Sequence, residues 1–196
     1  MLLAIHSVII FWIYLVDGNT FIRSDTDSIW QHFRALQYIG EYLRELFQNF
    51  IHGNFVIPTW DFTIGMGGNV LTSMHYYGLT DPLSWISAVV PSRYTYILYG
   101  ALIVLRIFLA GLSFVYMCRV LGVRRNLPIV IGAITYTFSA WSLAYGTWQV
   151  MFELPMIYLP ALVAAIYRVM IGKNGFGLTI FVFLLSARMS RSVSYW

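Results

Sequence analysis

The stretch that decides the fold is Tyr94–Cys118, YTYILYGALIVLRIFLAGLSFVYMC, 25 residues carrying a single charge, Arg106. About 20 apolar residues suffice for a helix to cross the hydrocarbon of a bilayer, so residues 93–118 read as a transmembrane helix. Moving toward the C-terminus, Arg119, Arg124 and Arg125 close the run, and residues 127–146 read as a further span, rich in small residues at Gly132, Ala133, Ser139 and Ala140 that permit close helix contact in lipid. A tight turn at Gly146–Gln149 leads to a span over 150–168, where Pro155 and Pro160 are expected to bend the helix. Residues 176–187 begin another span and reach only 12 residues before Arg188. Toward the N-terminus, residues 1–16 read as a first span. That run is short, but it lacks the leading basic residue and the small-x-small cleavage site of a signal peptide.

Whole-chain composition makes the same demand. Of 196 residues, 59% are hydrophobic and 10% charged, with a mean hydropathy of +0.71. Soluble domains carry about 25% charge, and twelve basic plus eight acidic residues are too few to coat a water-facing surface at this apolar load. Disordered chains are poor in apolar residues, which excludes that class as well. The net charge of +4 is the Lys/Arg excess expected of cytoplasmic loops, and no basic run with interleaved aromatics points to nucleic acid. The single cysteine, Cys118, excludes an internal disulfide and a cysteine-based metal cluster, and its apolar setting predicts an inert buried thiol.

Arg119, Arg124 and Arg125 mark one loop as cytoplasmic; Arg168 and Lys173 mark another two spans later, as alternation requires. Residues 17–92, with seven of the eight acids, then lie outside. The fold class is therefore all-α: a polytopic transmembrane helical bundle with a large extracytoplasmic first loop. In that loop Ile29, Phe33, Leu36, Ile39, Leu43, Leu46 and Phe50 recur at steps of four and three, one face of a 3.6-residue period. The stripe predicts an amphipathic helix over about 28–51, too polar to cross hydrocarbon and suited to the membrane interface; little else in the loop promises a core to pack on. From His52 to Ser92, glycines, Asp81-Pro82 and Pro91 predict an ordered loop of short turns. Gly65-Met-Gly-Gly68 lacks the Lys-Ser/Thr and the strand–helix setting of nucleotide-binding loops and reads as tight turns. Trp60, Tyr76, Tyr77 and Trp85 suit either interface anchors or rings that stack on sugar.

Several polar residues are candidates for chemistry. Asp25 and Asp27 precede the amphipathic helix and both fit an N-cap, while Asp27 and Gln31 share a face if both are helical. His32 follows, but His32, His52 and His75 lack the i, i+4 spacing of a metal pair, so no metal ligand is assigned. Arg106 stands mid-span, where a charge costs about 2.5 kcal/mol or more; it is expected to face the bundle interior and to find a partner. Both a structural pair with Glu153 and a contact to lipid phosphate stay open. Asp81-Pro82 reads as a turn starter, and Asp61 as a second carboxylate for substrate or metal.

A set of local runs, in order and spacing, carries a resemblance. These are Asp27-Ser-Ile-Trp-Gln31-His32, then Tyr42-Leu-Arg44-Glu45, then Pro58-Thr-Trp60-Asp61-Phe-Thr-Ile-Gly65-Met-Gly67-Gly68-Asn69, His75-Tyr76-Tyr77, Asp81-Pro82-Leu83, Leu105-Arg106-Ile-Phe-Leu-Ala-Gly111-Leu and Gly132-Ala-Ile-Thr-Tyr136-Thr-Phe-Ser139. Over residues 2–187 the chain resembles the N-terminal part of the bacterial YfhO family of membrane proteins. The resemblance implies a GT-C-like architecture, the class of integral membrane glycosyltransferases, here truncated because family members are several times longer. It implies a multi-pass protein of the bacterial cell membrane, a polyprenyl-phosphate sugar as donor and a cell-envelope polymer such as teichoic acid as acceptor. It also implies an acidic catalytic residue in the first extracytoplasmic loop, a position that Asp27 matches. Asp27 is then the base that deprotonates the attacking hydroxyl, with Gln31, His32, Arg106 and Asp61 as substrate contacts. No cofactor is assigned, and a divalent metal has no support in the sequence. The fragment alone is expected to be inactive. The competing readings are a transporter or lipid-linked sugar flippase, served by Arg106 and the prolines of the 150–168 span, and a non-catalytic membrane scaffold.

Overall fold

The computed structural model of the chain describes residues 26–147 and 149–178, with Ile5, Ile9, Trp12, Phe21, Ile22 and Ile180. The described backbone is mostly helical. Ile22–Tyr99 falls in one compact unit and Gly100–Ala187 in another.

In the first unit a wide π-type turn, Ser28–Phe33, runs directly into helix α1, Arg34–Ile51. The apolar stripe read at 28–51 explains the helix, and its first half is covered. Ala35, Ile39 and Tyr42 pack with Val70 and Met74 of the short helix α2, Val70–Met74, and Tyr38, Leu43, Leu46, Ile64, Tyr77 and Leu79 close around them. The loop thus supplies a core of its own, where little was expected to form one. Two apolar side chains on α2 and the rings from the following turn are enough, because each buried side chain of this size contributes about 1.5–3 kcal/mol. Farther along, Phe47 and Ile51 on α1 and Phe55, Val56 and Ile57 after it remain exposed.

Polar contacts hold α1 to the 3-10 turn Ser84–Ala88 and the chain after it. The Arg44 guanidinium donates to the carbonyls of Ser87 (3.0 Å) and Val90 (2.7 Å) and to the Ser92 hydroxyl (2.8 Å), which itself donates to Glu41 Oε1 (2.8 Å). Gly40 lets the backbones meet: a Cβ there would stand 2.6 Å from the Ser87 carbonyl oxygen. Between α1 and α2, strands β1 (Trp60–Asp61) and β2 (Gly68–Asn69) pair antiparallel, with Trp60 opposite Asn69. Gly65 and Gly67, at φ 62° and 108°, make the tight turn between them. The Asn69 side chain then caps α2 by accepting from the Thr72 N–H at 3.0 Å. Asp81 starts a turn, its carboxylate accepting from the Leu83 N–H and the Ser84 hydroxyl.

Helix α3 spans Thr95–Val120. Two helical stretches, Ser92–Val120 and Met151–Met170, are long and apolar enough to cross a membrane by length and composition. In the second unit Leu102, Ile103, Arg106, Ile107 and Ala110 form the buried face of α3. Helix α4, Asn126–Thr137, is apolar but only 12 residues long. The run read as one span over 127–146 is interrupted. Phe138 leaves helical geometry at φ −101°, ψ 35°, and a separate wide turn forms at Ser142–Gly146. Thr135, Thr137 and Ser139 weaken the helix here, since threonine and serine hydroxyls and β-branching disfavour helix interiors. Small residues do permit close approach: Gly132 lies against the Phe114 ring, which stacks on Tyr136 at 5.1 Å.

Helix α5, Leu154–Met170, follows. Pro155 sits in its first turn, where a missing N–H costs little. Pro160 lies inside it and leaves the Met156 carbonyl without its helical donor. The Tyr136 hydroxyl donates to that carbonyl at 2.9 Å, and the Ser113 hydroxyl to the neighbouring Ile157 carbonyl at 2.6 Å. Cys118, read as buried, is half-buried. The span read over 1–16 lies outside the described residues apart from Ile5, Ile9 and Trp12. So does the partial span over 176–187, apart from 176–178 and Ile180, and so do Asp25 and the tail from Arg188.

Candidate functional site

Asp27 occupies the N-cap position of the wide turn, in helical geometry (φ −61°, ψ −11°), yet its side chain caps no backbone N–H. The Ser28 N–H turns instead to the Thr26 hydroxyl, at 3.3 Å. The carboxylate is exposed. Gln31, four residues on, donates from Nε2 to Asp27 Oδ1 at 2.7 Å. The Tyr77 hydroxyl donates to Gln31 Oε1 at 2.8 Å. Tyr77 therefore fixes which end of the Gln31 amide faces Asp27: the carbonyl accepts from the phenol, so the NH2 must point at the carboxylate.

His32 packs behind this chain of hydrogen bonds. It is 5% exposed, its ring meets Tyr77 edge-on at 5.7 Å and Tyr76 at 6.5 Å, and its Nδ1 is buried without a hydrogen bond. Burial pulls its pKa below the usual imidazole value, and the Asp27 charge offsets part of that shift. The ring is thus held neutral near pH 7. Asp27 and Gln31 are hydrogen-bonded, and His32 lies near enough to feel the Asp27 charge. Tyr77, read only as an anchor or stacking ring, is the member that sequence reasoning missed, because it lies 46 residues from Gln31.

Asp61 belongs to a different cluster. Its Oδ2 accepts from the Tyr38 hydroxyl at 2.7 Å, and its Oδ1 from the Thr63 N–H and hydroxyl at 2.7 and 2.8 Å. These donors, the Thr63 backbone first, hold its pKa below the usual carboxylate value. In turn, burial and the Asp61 carboxylate push the Tyr38 phenol far above its ordinary value. Tyr38, Tyr42, Glu45, Pro58, Trp60 and Asp61 border a cavity of about 290 Å³.

Arg106 belongs to the second unit and is 1% exposed, on the inward face of α3. Glu153, fully buried, lies within reach of its charge. One Glu153 oxygen accepts from the Ser142 hydroxyl at 3.3 Å; the other, Oε1, is buried without a hydrogen bond. The wide turn at Ser142–Gly146 makes room for this carboxylate, since a Cβ on Gly146 would overlap it. Among the described residues, no group of three or more His, Cys, Asp or Glu could hold a metal ion.

The family described as bacterial membrane protein YfhO matches residues 2–186 of the chain. No curated protein and no solved structure matches it.

Proposed function

The chain belongs to the YfhO family of bacterial membrane proteins, and from that premise we propose that it carries the acidic loop of a multi-pass, GT-C-like membrane glycosyltransferase. In this reading residues 17–92 face the outside of the cell membrane. The donor is a polyprenyl-phosphate sugar, and the acceptor is a hydroxyl of an envelope polymer such as teichoic acid. Asp27 takes the proton as the acceptor oxygen forms its bond to the anomeric carbon. The bond from that carbon to the phosphate oxygen breaks, and polyprenyl phosphate leaves with the electron pair. Gln31 orients the carboxylate, and His32 walls the site.

The observation that supports this reading is the Asp27 carboxylate itself: exposed, not spent on capping its helix, and aimed by Gln31 and Tyr77. A base must not be committed to backbone N–H groups and must still be held in direction. The test is Asp27→Asn in the full-length protein, read as sugar incorporation into envelope polymers. Loss of a general base lowers transfer by about 10²–10⁴-fold. Wild-type incorporation by the variant would remove Asp27 from the role and leave a scaffold.

A second reading, transport or flipping of a lipid-linked sugar, is favoured by one specific feature, the buried Glu153 held against the wide turn Ser142–Gly146 that follows the helix interruption at Phe138. Buried ionisable groups and broken helices mark transport paths in membranes. Lipid translocation that persists while neither wild type nor Asp27→Asn transfers sugar would select it.

A further inference from the structure

We propose that the cavity bordered by Tyr38, Tyr42, Glu45, Pro58, Trp60 and Asp61 is a binding subsite for a hydroxyl-rich ligand, a sugar ring or polyol unit. None of its residues takes part in the Asp27–Gln31–Tyr77 chain. Its volume, about 290 Å³, falls at the small end of ligand pockets, which run from about 300 Å³ upward.

The direction of its hydrogen bonds selects the ligand. Both phenol protons are already committed: Tyr38 donates to Asp61 at 2.7 Å and Tyr42 to the Pro58 carbonyl at 2.9 Å. Each phenol oxygen keeps lone pairs, and the Asp61 and Glu45 carboxylates only accept. Apart from the Trp60 indole N–H, the lining side chains therefore offer acceptors, and what they bind must bring donors. A phosphate or carboxylate ligand would meet the negative charges of Asp61 and Glu45. An ammonium ion would find the Asp61 charge already answered by three donors, from Tyr38 and Thr63, and would have the Glu45 carboxylate alone to face. Neutral hydroxyl groups match the wall.

The apolar walls fit the same chemistry. Tyr38 and Tyr42 stand with their rings near-parallel, 13° apart. Trp60 is 57% exposed, and the hairpin fixes its place. It pairs with Asn69 across the strands, meets Phe62 edge-on at 6.3 Å, and stands close to Gly67, where a Cβ would come within 3.3 Å of the indole. A pre-set ring costs little ordering on binding, and its face suits the C–H side of a pyranose.

The test uses the full chain in lauryldimethylamine-oxide micelles, so that no glycoside detergent competes. Methyl β-D-glucopyranoside and ribitol are the probes, and saturation-transfer NMR reads binding. Saturable transfer to the ring or chain protons of at least one probe is expected. Trp60→Ala is expected to weaken it roughly tenfold, the scale of one lost stacking ring, and Trp60→Phe to keep most of it. Glu45→Gln, which replaces an acceptor with a donor, is expected to weaken it without shifting the melting temperature. Transfer absent from both probes, or unchanged in Trp60→Ala, overturns the proposal. Competition by inorganic phosphate or ethanolamine that exceeds competition between the two polyols overturns it as well.

Discussion

The hydroxyl of Tyr136 on α4 stands in for the backbone amide that Pro160 lacks on α5, donating at 2.9 Å to the Met156 carbonyl. A buried carbonyl left without a donor costs about 1–3 kcal/mol, so the contact explains how a proline is tolerated in the middle of an apolar helix. Tyr136→Phe is expected to cost about 1–3 kcal/mol, the penalty for one unsatisfied buried acceptor. The same substitution in a Pro160→Ala background is expected to cost much less, because an alanine at that position brings back the amide proton and with it the i→i−4 bond. Unfolding midpoints of the four proteins in detergent give the coupling directly; equal costs in both backgrounds would show that the hydroxyl does not replace the amide.

Gly146 and Glu153 share one volume, with the carboxylate where a Cβ would be. Gly146→Ala is expected to destabilise by about 1–3 kcal/mol through overpacking. Removing the carboxylate as well, in Gly146→Ala with Glu153→Ala, is expected to recover part of that loss. Thermal midpoints of the single and double variants check it, and a double variant less stable than Gly146→Ala alone contradicts the shared-space account.

The apolar run around Arg106 and the stripe from Ile29 to Phe50 were legible because both are properties of composition and local period. Helices α3 and α1 lie where these patterns place them. The interruption at Phe138 was not legible, because hydropathy sums a window and does not register where backbone dihedrals leave the helix. The core over α1 was missed for a related reason. Val70 and Met74 are too few to make a periodic signal of their own, and they matter only once the glycine hairpin returns the chain to Ile39. In the site, Asp27 and Gln31 could be paired by eye at four residues' spacing. Tyr77 at 46 residues from Gln31, and Tyr38 at 23 from Asp61, could not.

His32 makes the first unit sensitive to acid. Burial holds its folded-state pKa below the ordinary imidazole value of 6.5, so the unfolded chain takes up the proton first as pH falls. Its contribution is intact above about pH 6.5 and is lost as pH drops from there through the folded-state value. Melting temperature is expected to fall between about pH 7.5 and 5.5, and to fall less in His32→Gln, whose amide does not titrate. Identical pH slopes in the two proteins would mean that other groups carry the acid sensitivity.

Tyr77 is a positioning residue if Asp27 is the base. Tyr77→Phe keeps the ring against His32 and removes only the proton that orients Gln31. The amide can then turn over or swing away, and Asp27 loses its directed partner. Misplacement of a reacting group by about an ångström costs up to about a hundredfold in rate, so kcat for sugar transfer is expected to fall roughly ten- to a hundredfold with KM little changed. A merely structural role would lower the melting temperature and would act equally in any background. The positioning role predicts an unchanged melting temperature and no further loss when Tyr77→Phe is added to Asp27→Asn, because nothing then remains to be aimed. Independent, multiplicative losses in that double variant would detach Tyr77 from Asp27 and leave the hydroxyl as a local packing contact.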